Sequence, residues 1–143
     1  MGAQEQDDLV RQLAVGLGLG SVAFGVAPIL APRFFARLFG LQVARDSTAS
    51  VAVRSVGVRD LVIGLGLWSA ATHGGRYAPW ILARALSDTG DALACAIALA
   101  QGADRPGFKS LTLLAAGAAA GGFALWLTAR SQPPRDSVEQ RAL

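Results

Sequence analysis

Four apolar runs divide the chain, over residues 13–30, 51–72, 79–100 and 110–129. Each is near the roughly 20 residues that a helix rising about 1.5 Å per residue needs to cross the hydrocarbon of a bilayer. The helices of a water-soluble bundle carry a polar face, and the fourth run, SLTLLAAGAAAGGFALWLTA, has none. The pattern predicts an all-α protein: an integral membrane four-helix bundle over residues 1–130, followed by a mobile polar tail over 131–143, where two prolines precede mixed charge. The opening MGAQEQDD reads as a short polar tail. Its acidic character is opposite to the basic start of a secretory leader, so the first span is expected to stay.

Between the first two runs, PRFFARLFGL sets Phe34, Phe35, Leu38 and Phe39 against Arg33 and Arg37. This predicts a short amphipathic helix lying in the headgroup layer. Four spans put both termini on one side, A, and the first and third loops on the other, B. Arg11, Arg76, Arg130, Arg135 and Arg141 then fall on side A, and Arg33, Arg37, Arg45, Arg105 and Lys109 on side B, so the positive-inside rule chooses no orientation. The large aromatics do segregate, with Trp68, Tyr77, Trp80 and Trp126 near side A and the phenylalanines 34, 35, 39 and 108 near side B, as alternating spans require.

Glycines recur inside the runs. Gly16 and Gly20 in the first, and Gly117 and Gly121 in the fourth, both read GxxxG, a spacing that lets helix backbones approach closely in lipid. Packing within the bundle is the first expectation for these faces and a homodimer through them the second. The sequence GLGLG sits inside an apolar helix and follows no strand, so it is not a nucleotide-binding loop.

Six ionisable residues interrupt the second and third runs: Arg54, Arg59 and Asp60, then Arg84, Asp88 and Asp91. Each costs at least about 2.5–3.5 kcal/mol at the centre of a bilayer, and three Arg against three Asp implies mutual pairing. At about 100° per residue Arg84, Asp88, Asp91 and Cys95 form one stripe, which must face the bundle interior. Arg54, Arg59 and Asp60 point in three directions and cannot share one partner. Asp60 lies about 14 Å down its helix from side B and Asp91 about 18 Å down its own from side A. In a layer about 30 Å thick these depths nearly coincide. Arg59, Asp60, Asp88 and Asp91 are therefore expected to meet near the midplane, with Arg54 reaching toward side B and Arg84 toward side A.

The chain is 143 residues long, 52% hydrophobic, with a mean hydropathy of +0.42, which leaves room for one domain and favours the membrane class. One cysteine and one histidine exclude a disulfide framework and make a His/Cys metal site improbable, so no metal and no cofactor is expected. The net charge of +3 is scattered over loops and tails without a basic stripe, which argues against nucleic acid. His73 belongs to the loop His-Gly-Gly-Arg, away from the midplane and from Ser87, so a nucleophilic hydrolase is disfavoured.

The pattern RSVGVRDLVIGLGLW followed by ARALSDTGDAL resembles the small membrane family catalogued as domain of unknown function 4267, on Arg54, Gly57, Arg59, Asp60, Gly64 and Gly90-Asp91. The resemblance spans about residues 10 to 128 and implies a four-helix membrane fold. It implies no mechanism.

Two function classes follow from the residues. The first is an enzyme doing acid-base chemistry on an apolar small molecule that enters from the bilayer, with epoxide opening by hydrolysis or cyclisation as the leading reaction and isomerisation next. Two carboxylates held by an Arg resemble the Asp, Arg, Asp arrangement of limonene-epoxide-type hydrolases on an unrelated fold, which is analogy alone. Carboxylates in unequal surroundings can hold one proton between them. Asp91 is the candidate acid, Asp88 or Asp60 the base and Arg59 the orienting cation; Arg84, Arg54, Trp68 and Trp80 are the candidate substrate-binding residues. The second class is non-enzymatic: a small transporter subunit or lipid-binding module whose charges relay protons or lock helices. An enzyme predicts a closed cavity opening to lipid, and a transporter predicts a polar path between the two surfaces.

Overall fold

The computed structural model describes residues 2–39, 47–103 and 106–131, and all regular structure in them is helical. Five helices follow one another: α1 (Ala3–Leu30), α2 (Pro32–Leu38), α3 (Ser47–Thr72), α4 (Ala78–Ala100) and α5 (Pro106–Ala129). Arg45, Arg105, Arg135 and Arg141 of the charge count, and nearly all of the expected tail, lie outside the described residues.

The helices begin and end for local reasons. α1 starts at Ala3, so most of the segment read as a polar tail is helical. Hydropathy marks where a helix becomes apolar, whereas the backbone can start earlier. Here Glu5 stands in the first turn, where the helix dipole favours an acid, and Arg11 lies 3.8 Å from Asp8. α1 stops before Pro32, which has no N–H to continue the ladder and instead opens α2 at a position where none is needed. Gly102, at φ 87°, ends α4: its N–H donates to Leu99 O and that of Ala103 to Ala98 O, both at 3.0 Å, which together make a Schellman closure.

α1 runs antiparallel along α3, and α4 along α5; contacts between the two pairs are far fewer. The α1/α3 approach is backbone to backbone. A methyl group on Gly25 would lie 2.5 Å from Leu61 N and 2.7 Å from Gly57 O, and one on Gly64 would lie 2.8 Å from Gly18 O. Gly18 therefore faces Gly64, and Gly25 faces Gly57. In the other pair Gly122 sits against Ala85, whose Cβ would be 3.0 Å away from an added methyl. This corrects the expected internal role of the GxxxG faces, because Gly16, Gly20, Gly117 and Gly121 all look into open space. Contact is set by register against the partner helix, which a spacing within one helix does not encode.

The two pairs close on each other at the end of the bundle that holds the turn between α3 and α4. Val10, Ala14, Leu67, Ala71, Ile81 and Ala129 form a buried cluster there, with Trp80 and Trp126 packed on it. At the opposite end they part, and α2 packs on α1 and α3 beside the gap: Ala36 is buried, Phe34 and Leu38 point outward, and Phe24, Phe35 and Phe39 meet edge-on or tilted with centroids 5.1–6.1 Å apart. The outer surface is rich in large apolar side chains, among them Leu30, Leu113, Leu114 and Leu93, while Asp60 and Asp88 are buried. Two helical stretches, Gln4–Leu30 and Gly107–Ala129, are long and apolar enough to cross a membrane.

Candidate functional site

α3 and α4 bring five of the six charges that interrupt their apolar runs into one chain of ion pairs, Asp91–Arg59–Asp60–Arg84–Asp88. Arg59 grips Asp91 fork to fork, Nη1 donating to Oδ1 at 2.9 Å and Nη2 to Oδ2 at 2.7 Å. The same guanidinium donates to Asp60 Oδ1 from Nε at 3.1 Å and from Nη2 at 2.9 Å. Arg84 holds Asp88 one turn along α4, with Nε 3.1 Å from Oδ2 and Nη2 2.8 Å from Oδ1. Its Nη1 lies 3.0 Å from Asp60 Oδ2, an ion pair by distance whose angle falls outside hydrogen-bond geometry; charge attraction does not need that alignment.

Asp60 is thus the hub, taking both guanidiniums, and its side chain is 4% exposed. Both ion pairs from α3 to α4 belong to this network, so it joins the two helix pairs, which pack on each other far less than within themselves. Its charge does not balance: three carboxylates face two guanidiniums. Groups this strongly paired are tolerable in a low-dielectric interior only while the partners stay in place, since removing one typically costs about 3–5 kcal/mol.

Beside the network lies a cavity of about 520 Å³. Asp60, Arg84, Asp88, Asp91, Cys95 and Ser21 supply its polar wall, and the remainder is apolar, with Phe24, Phe35 and Phe39 at the α2 end and leucines and alanines from α5. A pocket of this size with a few convergent polar groups has the dimensions of a small-molecule site. The stripe Arg84, Asp88, Asp91 and Cys95 lines it in full, as helical spacing predicts.

Other expectations meet a different geometry. Arg84 turns inward to two carboxylates instead of reaching for the surface, and its side chain is 13% exposed. Arg54 lies outside the cavity; its Nε donates to Ile29 O at 3.2 Å and its Nη1 to Ser50 Oγ at 3.3 Å. Pro32 leaves the last carbonyls of α1 short of donors, and Arg54 meets that need at the negative end of the helix dipole. Trp68 and Trp80 do not line the cavity either: the backbone of Trp68 faces Gly18, and the ring of Trp80 covers Gly66 on the apolar cluster. Arg59 sits outside the lining as well, holding Asp60 and Asp91 without itself facing the space. Sequence reasoning missed Ser21, a lone hydroxyl in an apolar helix, and gave Phe35 and Phe39 only a place at the membrane surface. Among the described residues no group of three His, Cys, Asp or Glu could hold a metal ion.

An all-helical bundle with a buried Asp/Arg network beside an apolar cavity is the class that fold and site define. The chain belongs to the family described as Domain of unknown function (DUF4267), whose model matches residues 18–129 and so includes every member of the network. No curated protein and no solved structure matches the chain.

Proposed function

We propose that the protein spans the membrane four times through α1, α3, α4 and α5, with α2 at the surface, and that it is an enzyme performing acid-base chemistry on an apolar small molecule, epoxide opening first among the candidate reactions. The observation that carries the chemistry is the charge-paired chain of three Asp and two Arg in the wall of an otherwise apolar cavity. The apolar exterior and buried carboxylates support the membrane reading, because they invert what a water-soluble domain of this size does. The apolar cluster beyond the network favours a closed reaction chamber over a polar path between the two surfaces.

In this reading Asp91 and Asp88, three residues apart on one helix face, share the proton traffic. The acid places a proton on the ring oxygen as a carbon–oxygen bond breaks. The base takes a proton from the water, or from the internal hydroxyl in a cyclisation, that forms the new bond at carbon. One proton is given and one received, so the pair is restored by transfer between neighbours. Arg59 and Arg84 orient the carboxylates, and Asp60 locks the two guanidiniums at a fixed spacing.

Turnover of apolar epoxides in heavy-oxygen water, by purified protein in lipid beside Asp91→Asn and Asp88→Asn, tests the reading. Label in the diol from wild type, lost by at least about a hundredfold in variants that keep their unfolding temperature, supports catalysis. A second reading, that the network is only a seam joining two helix pairs, has the sparse α3/α4 packing in its favour. It wins if wild type is inert across the panel while both variants lose thermal stability.

A further inference from the structure

The hydroxyls of Ser55, Thr72, Thr89, Thr112 and Thr128 donate to carbonyls of their own helices, at 2.7–3.0 Å. Ser21 does not. It is 4% exposed, lines the cavity, and its hydroxyl has no hydrogen-bond partner among the described residues. Its height is fixed by the α1/α3 register. A methyl on Gly64 would lie 2.9 Å from Ser21 Cβ, and Gly64 is one helical turn from Asp60, so the hydroxyl stands about one turn from the ion-pair network on the neighbouring wall.

Apart from the carboxyl that acts as the acid, the strong donors near Ser21 face carboxylates. Every nitrogen of Arg59 and two of Arg84 donate to carboxylates, and Arg84 Nη1, paired with Asp60, is buried out of reach of a water-sized atom. The thiol of Cys95 is a weak donor. With the one proton that the proposed acid carries, the three Asp and two Arg sum to zero, so a bound anion would bring an uncompensated charge into a poorly screened space.

We propose that Ser21 is a ligand-anchoring residue, and that the cavity takes a neutral, mostly hydrocarbon molecule whose one oxygen function, an ether-type or carbonyl oxygen, accepts the Ser21 hydroxyl proton while its chain runs toward Phe24, Phe35 and Phe39. This rests on the cavity being a ligand site, as the proposed function has it. It deepens that reading by naming the residue that fixes the oxygen next to the carboxylates and the charge state of the ligand.

Cys95 is the chain's one cysteine and lines the same cavity, so its alkylation by N-ethylmaleimide reports occupancy without turnover. The probes, added to the full chain in lipid nanodiscs, are 2-dodecanone, 1,2-epoxydodecane, dodecanoate and dodecane. The ketone and epoxide are expected to slow alkylation at the lowest concentrations, with dodecanoate weaker on the order of tenfold. Ser21→Ala is expected to weaken ketone and epoxide protection by about three- to tenfold, the worth of one hydrogen bond, and to leave dodecane unchanged. Equal protection by dodecane and the ketone in wild type, equal loss for both in Ser21→Ala, or strongest protection by dodecanoate each overturns the proposal. Protection through Ser21 without any labelled diol leaves Ser21 as the anchor and removes only the epoxide chemistry.

Discussion

Arg59 and Arg84 each serve two carboxylates, and that sharing sets the order in which substitutions hurt. Removing Arg84 leaves Asp88 and Asp60, both buried, short of their cation, whereas replacing one Asp by Asn takes away the surplus negative charge and keeps both guanidiniums paired. Arg84→Met is expected to destabilise the folded protein by about 3–5 kcal/mol and Asp91→Asn by clearly less. Arg54→Ala, which removes an exposed bond to the end of α1, falls at about 0.3–1 kcal/mol. Thermal unfolding in a single detergent ranks the three, and a reversed order between Arg84→Met and Asp91→Asn contradicts the shared-cation geometry. At this scale much was legible. Spacing alone placed Arg84, Asp88, Asp91 and Cys95 on one inward stripe, and matched depths brought Asp60 to Asp91 through Arg59. What spacing hides is the direction of a long side chain: Arg84 has reach enough for the surface or the interior, and only the presence of Asp60 across the gap decides it.

Among the elements, the glycines show the same division. Backbone contact between α1 and α3 rests on Gly18 and Gly25 against Gly64 and Gly57, successive contacts falling seven positions apart on each helix. Gly25→Leu is expected to force these helices apart at a cost of at least about 1–3 kcal/mol, because the added side chain meets backbone that cannot yield. Gly121→Leu points into open space and is expected to stay within about 0.5 kcal/mol of wild type. Chemical unfolding of the two variants checks the contrast, and comparable losses mean that the glycine register is wrong. The four apolar runs were read as helices correctly, and α2 was found from its mixed Phe and Arg pattern. The early start of α1 was not, because polar residues at a helix end say nothing about where the backbone hydrogen bonds begin.

For the molecule as a whole, two antiparallel pairs joined tightly at one end and held apart by a cavity at the other make an architecture that hydropathy could outline but not assemble. Periodicity gives faces, and the cavity arises from the failure of two such pairs to pack along their full length, which only three dimensions reveal. The four-span reading has a direct consequence for topology: both chain ends lie on one side of the membrane. Epitope tags at the two termini of the protein in sealed vesicles are expected to be cut by added protease together or protected together. Opposite accessibility leaves an odd number of crossings and removes the reading.

On the four-span reading the ion-pair chain also bears on how the protein would enter a membrane. On that reading α3 takes Arg54, Arg59 and Asp60 into the bilayer and α4 takes Arg84, Asp88 and Asp91, so each helix alone bears an unbalanced charge of opposite sign. The stretches that pass as spans by length and composition belong to α1 and α5, the outer members of the chain order. The two middle helices are poor insertion substrates singly, since every uncompensated charge resists partitioning. Joined by the short turn from His73 to Tyr77, they can cancel their charges only as a unit. The four-span reading then calls for a delayed, paired release in which α3 waits for α4 to be synthesised, so that the residues that shape the site would also set the timing of its assembly.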